Sequence, residues 1–366
     1  MAGKGTTHLI YQICQNVRKN MKKLLGIVLL GLFWCNLGFA EKNVKAPVKL
    51  PKDIVKGYKT WSSNCTFAGT GKCMVPDYAF QVVNKSEGHP VRLGKKSIRF
   101  ELRSGDCHQK KPTSYNDCKA DPPAERHELG QEYDKIALSG ETWHTYSLFM
   151  PKDTPQINSE WITMGQFHNL DYHKPPVNLD LVGKNFEIVT RFLCIHPKRF
   201  NKICYSNDPE NVRKIIIRKD QLFGKWNDFA FHSKWSTKVD KGFFKAWVNG
   251  KLVYHFEGRT KAPKDGSMFK FGIYRGAAPK GTKDSTHVVY YDEIRYVKKS
   301  CKKLKLKDLG YTCKELESQK LKKIHTIEKV EKIDWSKCDE EGLAHKPLIC
   351  YGSDGKLIPK SERIKN

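Results

Sequence analysis

From about residue 55 to residue 300 the chain is written in short runs whose apolar and polar positions alternate. Ile98, Phe100 and Leu102 alternate with Arg99, Glu101 and Arg103, and similar runs lie at Trp143 to Met150, Trp161 to Leu170, Phe186 to Ile195, Ile215 to Ile217, Trp226 to Trp235, Met268 to Tyr274 and Val288 to Val297. A period of two sends successive side chains to opposite faces of a strand. Between Phe244-Lys-Ala-Trp-Val248 and Leu252-Val-Tyr-His-Phe256 stands Asn249-Gly250, the dipeptide that favours a tight hairpin turn. Helical spacing is nearly absent, and strands do not alternate with helices. The pattern predicts an all-β sandwich or jelly roll, one domain over 55–300, long enough at about 245 residues to bury a sizeable core.

Both flanks differ from this body. From Met21 the chain reads Lys22 and Lys23, an apolar run from Leu24 to Trp34, then Gly38 and Ala40 at the −3 and −1 positions of a cleavage site. This is the layout of a secretory signal peptide over 1–40, cleaved after Ala40, with either Met1 or Met21 as the start. The apolar run is shorter than the roughly 20 residues of a membrane span, so no membrane span is expected. Residues 41–54 form a Lys- and Pro-containing leader. Beyond 300 the composition turns to Lys and Glu, and Leu316 to Ile333 reads as one amphipathic helix inside a small disulfide-bonded C-terminal extension, 301–366. That extension is either a carbohydrate-binding or envelope module or a packing extension of the sandwich.

Export changes how the cysteines are read. Of twelve, Cys14 and Cys35 fall in the signal segment; the other ten form near neighbours, Cys65 with Cys73, Cys107 with Cys118, Cys194 with Cys204, Cys301 with Cys313 and Cys338 with Cys350. An even number in an exported chain implies disulfides. None has the C-x₂₋₄-C spacing of a zinc knuckle. Each bridge would contribute ~2 to 3 kcal/mol by closing a short loop. The formal charge is +27, and removing Lys4, Arg18, Lys19, Lys22 and Lys23 with the signal segment lowers it to +22. A charge of that size points to a polyanionic partner, or to a surface that is only solubilising.

Three strings place polar residues at alternate positions of otherwise apolar strands: Arg126-His-Glu-Leu129, Gln166-Phe-His168-Asn169 and Lys270-Phe-Gly-Ile-Tyr274-Arg275. Arg126 with Glu128, Gln166 with His168, and Lys270 with Tyr274 each share a face. Singly, each is an ordinary surface pair or edge-strand pattern. Together, on the concave side of one sheet, they supply what β-elimination from a uronic acid requires. Arg126 and Gln166 can bind and polarise the carboxylate, Arg126 bidentately. His168 or Tyr274 can take the C5 proton, a phenol beside Lys270 and Arg126 being the more easily deprotonated, and Tyr274 can return a proton to the leaving oxygen. Lys270, Glu128, Arg103, Asn169, His173 and Arg275 are candidate substrate-binding residues. Arg99 and Arg103 are equally read as ion-pair partners of Glu101 or Glu128. Trp161, Trp226, Trp235 and Trp247 are read as core before sugar platforms.

On these three strings, with Ile98-Arg-Phe-Glu-Leu-Arg-Ser-Gly-Asp-Cys107 before them and Tyr291-Asp-Glu-Ile-Arg295 after, the chain resembles the jelly-roll polysaccharide lyases over about 55–300. It is most similar to the heparin lyase I type, with likeness to glucuronan and alginate lyases. The resemblance implies a concanavalin-like β-sandwich, carboxylate binding by Arg126 and Gln166, His168 as base, Tyr274 as acid with the two roles exchangeable, and a basic thumb between His196 and Lys219. Phe167 stands where alginate lyases carry Ile or Val, which argues against alginate. The expected partner is therefore an anionic polysaccharide of heparin, heparan sulfate or glucuronan type, acted on by a secreted or periplasmic monomer.

Other classes fit less well. Adjacent strand residues Asp292 and Glu293 face opposite ways and cannot flank one glycosidic bond, and no acid string of a retaining hydrolase is present. Export and the lack of a recognisable module exclude a nucleic-acid partner. A non-catalytic, lectin-like sandwich binding acidic glycans is the alternative to the enzyme. The chemistry needs no cofactor, no metal-ligand cluster stands out, and a structural calcium held by loop oxygens would leave little trace in sequence.

Overall fold

The computed structural model describes residues 43–45, 50–52, 54–56, 61–63, 66–67, 73–108, 116–120, 123–131, 139–169, 175–183, 185–192, 212–238, 240–261, 267–276 and 285–321. In chain order the strands are β1 Asn43–Lys45, β2 Val55–Lys56, β3 Trp61–Ser63, β4 Thr66–Phe67, β5 Cys73–Pro76, β6 Phe80–Asn84, β7 Lys96–Leu102, β8 Ala124–Gln131, β9 Gly140–Phe149, β10 Ile162–Asn169, β11 Val177–Val182, β12 Asn185–Thr190, β13 Val212–Arg218, β14 Trp226–Trp235, β15 Phe243–Val248, β16 Lys251–Glu257, β17 Ser267–Gly276 and β18 His287–Lys298. They build one sheet in the order β13-β12-β11-β10-β17-β8-β3, a second in the order β16-β15-β14-β9-β18-β7-β6 with β2 beside β18, and a small three-stranded sheet in the order β1-β5-β4. Neighbours along the two longer orders for which a register is defined are antiparallel.

Alternation along each strand explains the sandwich. Phe167 on β10 and Phe269, Phe271 and Ile273 on β17 point inward with Phe100, Phe229, Phe231 and Tyr291 of the other sheet, forming one buried core. Rings from the two sheets meet edge to face, as Phe100 with Phe271 at 5.7 Å and Phe167 with Phe231 at 5.4 Å. This is the jelly-roll sandwich the alternation predicts. The β15–β16 turn also forms as expected, with Asn249 at φ 48° and Gly250 at φ 78°, both in the left-handed region a tight hairpin requires.

Two expectations change. Val177–Val182, which the apolar runs did not mark, is a central strand. Of the single helix read over 316–333, the described part differs: a helix spans Cys313–Ser318, capped by Thr312 with Glu315, and Gln319 is already extended, while 322–333 lie outside the described residues. The helix stops there because Gln319 turns to the β15–β16 hairpin: its Oε1 accepts from the Leu252 N–H at 2.7 Å and its Nε2 donates to the Gly250 carbonyl at 2.7 Å.

Residues 301–321 pack on the outer face of the second sheet. Leu304, Leu306, Leu309 and Leu316 bury against Trp143, Trp247, Ala230 and Leu252. Disulfides join Cys107 to Cys118 and Cys301 to Cys313. Cys73 opens β5, while Cys65, Cys194, Cys204, Cys338, Cys350, His173, the signal segment 1–40 and residues 196–211 of the expected basic thumb lie outside the described residues. No helix among the described residues is long and apolar enough to cross a membrane.

Candidate active site

Because Leu129, Phe167, Phe269, Phe271 and Ile273 belong to the core, their strand neighbours must face away from it. Register then decides which of them meet. Tyr274 is opposite Arg126 on one side and Thr163 on the other; Thr163 is opposite Asp180, and Asp180 opposite Glu187. A second row pairs Gly130, Lys270, Gln166 and Asn178. The polar positions thus form two rows across β8, β17, β10 and β11, at right angles to the strands.

Glu128, opposite Gly272 and so between the two rows, ties them together. Its Oε2 accepts from Lys270 Nζ at 2.7 Å and its Oε1 from Gln166 Nε2 at 2.5 Å, with Arg126 Nη1 3.4 Å from Oε2. Glu128, Gln166, Lys270 and Arg126 are only 2, 1, 6 and 7 % exposed, so these charges are balanced by one another and not by bulk water. Burial raises the Glu128 pKa, but Lys270 and Arg126 outweigh it and the carboxyl sits below its ordinary value. For Lys270 burial wins over Glu128, leaving the ammonium below the ordinary lysine value.

Arg126 organises the first row. Its Nε and Nη2 donate to the two oxygens of Asp117 at 2.5 and 2.6 Å, and its guanidinium lies over the Tyr274 ring, 3.7 Å from the centroid. Burial disfavours this cation, yet Tyr274, Glu128 and Asp117 more than offset it and its pKa is raised. Sequence reasoning expected Arg126 to offer its fork to a substrate carboxylate. Asp117 already fills the Nε/Nη2 edge, so a bidentate seat there is corrected; the Nη1 edge faces Glu128. Trp161 meets Tyr274 edge to face at 4.8 Å.

Gly272 makes this closeness possible. It has φ 135°, and a Cβ there would stand 2.3 Å from the His127 carbonyl oxygen and 2.7 Å from the Glu128 Cα. The backbone irregularity lies where the β10–β17 register shifts between Thr163 and Gly165. From the facing sheet the Tyr291 hydroxyl pins it, 2.7 Å from the Gly272 carbonyl and 2.6 Å from that of Met164.

The other predicted residues are placed unevenly. His168 and Tyr274 are the half-buried members of the group. His168 is opposite Met268, so Gln166 and Lys270 stand between it and the Tyr274 row. Asn169 ends β10 opposite Ser267. Arg103 lies over the Tyr78 ring at 3.5 Å and its Nε donates to Glu101 at 2.6 Å. Arg275, read as substrate-binding, points the other way: its side chain is fully buried on Glu125 and beside His287, because alternation sends it to the face opposite Tyr274. Trp235 and Trp247 are core, as read.

Asp117, Thr163, Asn178 and Asp180 were missed. Thr163 Oγ1 donates to Asp180 at 2.6 Å, and burial raises the Asp180 carboxyl despite Thr163 and Arg191. The only sequence signal for Asp117 is a repeated dipeptide, Asp106-Cys107 and Asp117-Cys118. Among the described residues no group of three or more His, Cys, Asp or Glu is arranged to hold a metal ion.

Residues 67–295 match the protein family described as polysaccharide lyase. No curated relative matches the chain. Among solved structures it is similar to an endo-β-1,4-glucuronan lyase from the fungus Trichoderma reesei, at 14% identity and TM-score 0.42, covering 65% of this chain and 94% of that one. It is also similar to the alginate lyase AlgAT5 of polysaccharide lyase family 7, at 14% identity and TM-score 0.43 over 68% and 98%, and to an alginate lyase from Corynebacterium sp., at 16% and 0.39 over 65% and 92%. With the match spanning well over half its length, the chain belongs to the polysaccharide lyase family and is a polysaccharide lyase.

Proposed function

We propose that the chain cleaves a uronic-acid-containing anionic polysaccharide, of heparin or heparan sulfate type or of glucuronan type, by β-elimination. One observation carries the reading: Arg126, Glu128, Gln166, Lys270 and Tyr274 converge from three strands onto the same face, with Tyr274 and His168 half-exposed beside them. The buried cations and the Gln166 amide favour a uronate carboxylate, lowering the cost of charge at C5. The base, Tyr274 or His168, removes the C5 proton and the electron pair enters the carboxylate. A C4–C5 double bond then forms as the C4–O4 bond breaks, and O4 takes a proton, Tyr274 being the donor beside Arg126. Glu128 contacts the catalytic groups and holds them. The mature chain is taken to act outside the cytoplasm as a monomer, after cleavage at Ala40, and its disulfides suit an oxidising compartment.

The test is absorbance of the unsaturated uronate product on incubation with heparin, heparan sulfate, glucuronan and alginate. A rise on one of the first three, lost in Tyr274→Phe or His168→Ala, supports the reading. No rise on any uronate polymer, or a rise indifferent to both substitutions, refutes it; binding without turnover would favour a lectin.

A further inference from the structure

One disulfide-closed segment grips Arg126 twice. Cys107 and Cys118 are bonded, and each directly follows an aspartate. The carbonyl of Asp106 accepts the Arg126 backbone N–H at 2.9 Å, while the carboxylate of Asp117 takes Nε and Nη2 of the same residue. The N–H of Asp117 donates in turn to the His108 carbonyl at 2.9 Å, closing the segment on itself. Asp117 is fully buried. Main chain and side chain of Arg126 are therefore held from the two ends of one covalent link.

We propose that Asp117 is a positioning residue of the active site and that the Cys107–Cys118 bond is what keeps it on Arg126. The inference rests on the lyase reading above. A guanidinium on three methylenes has many rotamers, and holding it over the Tyr274 ring requires both its position and its plane to be set. A bidentate carboxylate sets that plane. Asp117 needs the tether because it sits in a single 3₁₀ turn, Asp117–Lys119, with no strand ladder to hold it. A purely stabilising role explains the arrangement poorly. Asp117 brings a buried negative charge to a site meant for a polyanion, and apolar packing would stabilise as well without it. What the carboxylate adds is orientation.

The experiment uses the full mature chain and the uronate polymer that the wild type cleaves. Asp117→Asn keeps the shape and removes the charge; its expected effect is a fall in kcat of about 100-fold with KM changed less than about threefold, the scale of a reacting group displaced by about 1 Å. Replacing Cys107 and Cys118 together by Ser leaves Asp117 in place but untethered, and is expected to lower kcat at least about tenfold with KM again nearly unchanged. Wild-type kcat in folded Asp117→Asn overturns the proposal, as does a rise in kcat/KM, which would make Asp117 a competitor of the substrate. If Asp117→Asn does not fold, the double Ser variant decides, and unchanged kcat there overturns it. An inactive wild type on every uronate polymer would instead refute the underlying lyase reading.

Discussion

Arg126 lies over the Tyr274 ring, its guanidinium carbon 3.7 Å from the ring centroid, from directly opposed positions on β8 and β17. The contact is with the ring face, so Tyr274→Phe preserves it and removes only the hydroxyl. Turnover is expected to fall about 10³-fold or more, within the range for loss of a proton-transferring group, while the unfolding midpoint moves little. Steady-state kinetics beside a thermal melt checks both halves. A large loss of stability would mean that the hydroxyl is structural.

Glu128 balances Lys270 in a site where neither reaches bulk water, so the two substitutions should not be additive. Glu128→Gln leaves the buried ammonium with no acid at 2.7 Å, and the expected loss is ~3 to 5 kcal/mol in urea unfolding. Lys270→Met in the same chain should restore much of that, since the uncompensated charge is gone. A loss in the double variant equal to the sum of the Glu128→Gln and Lys270→Met losses would show that the pair is not coupled.

His144 supplies a pH dependence with a definite sign. Its ring is fully buried against Phe167, Phe269 and Tyr296, and burial pulls its pKa down to about 3. Between that value and the ordinary histidine value of about 6.5 the unfolded chain binds a proton that the folded chain refuses, so stability rises with pH there and is lost on acidification. The slope from this one group is ~1.4 kcal/mol per pH unit below about pH 6.5. Urea midpoints at pH 7.5 and pH 5 should show His144→Phe losing less stability on acidification than the wild type. Parallel pH dependence in both would remove His144 as the cause.

Much of this was legible in the sequence, and what was missed has physical reasons. Strands such as Trp226–Trp235 and the Asn249-Gly250 hairpin announce themselves because one face is core and the turn needs positive φ. The convergence of Arg126, Gln166 and Tyr274 followed from alternation within each string, which is local. Register is not local. Nothing in Gln166-Phe-His168 says that Gln166 meets Lys270 while His168 meets Met268, because the β10–β17 shift at Thr163 depends on a glycine, Gly272, in the other strand. Val177–Val182 escaped notice because it follows Pro175-Pro176 and its polar positions, Asn178 and Asp180, belong to the site face. Asp117 escaped because it acts from irregular backbone through a disulfide, where no periodicity exists to read.

The C-terminal extension is part of the folded body as far as Leu321, and its removal should be felt in the sandwich. Leu316 is fully buried among Trp143, Trp247 and Leu252 on the outer face of the second sheet, and its carbonyl accepts the Trp247 indole N–H at 3.1 Å. Leu316→Ala leaves that carbonyl in place and empties the volume beside it, for an expected loss of ~2 to 5 kcal/mol. The indole should also move toward a more open environment, so Trp fluorescence of the folded variant is expected to shift to longer wavelength. Because this face lies across the sandwich from Arg126 and Tyr274, kcat below the unfolding transition should stay within about twofold of wild type. A variant with unchanged stability would show that the helix Cys313–Ser318 rides on the sheet without being needed by it; a large fall in kcat with stability intact would tie the outer face to the catalytic one.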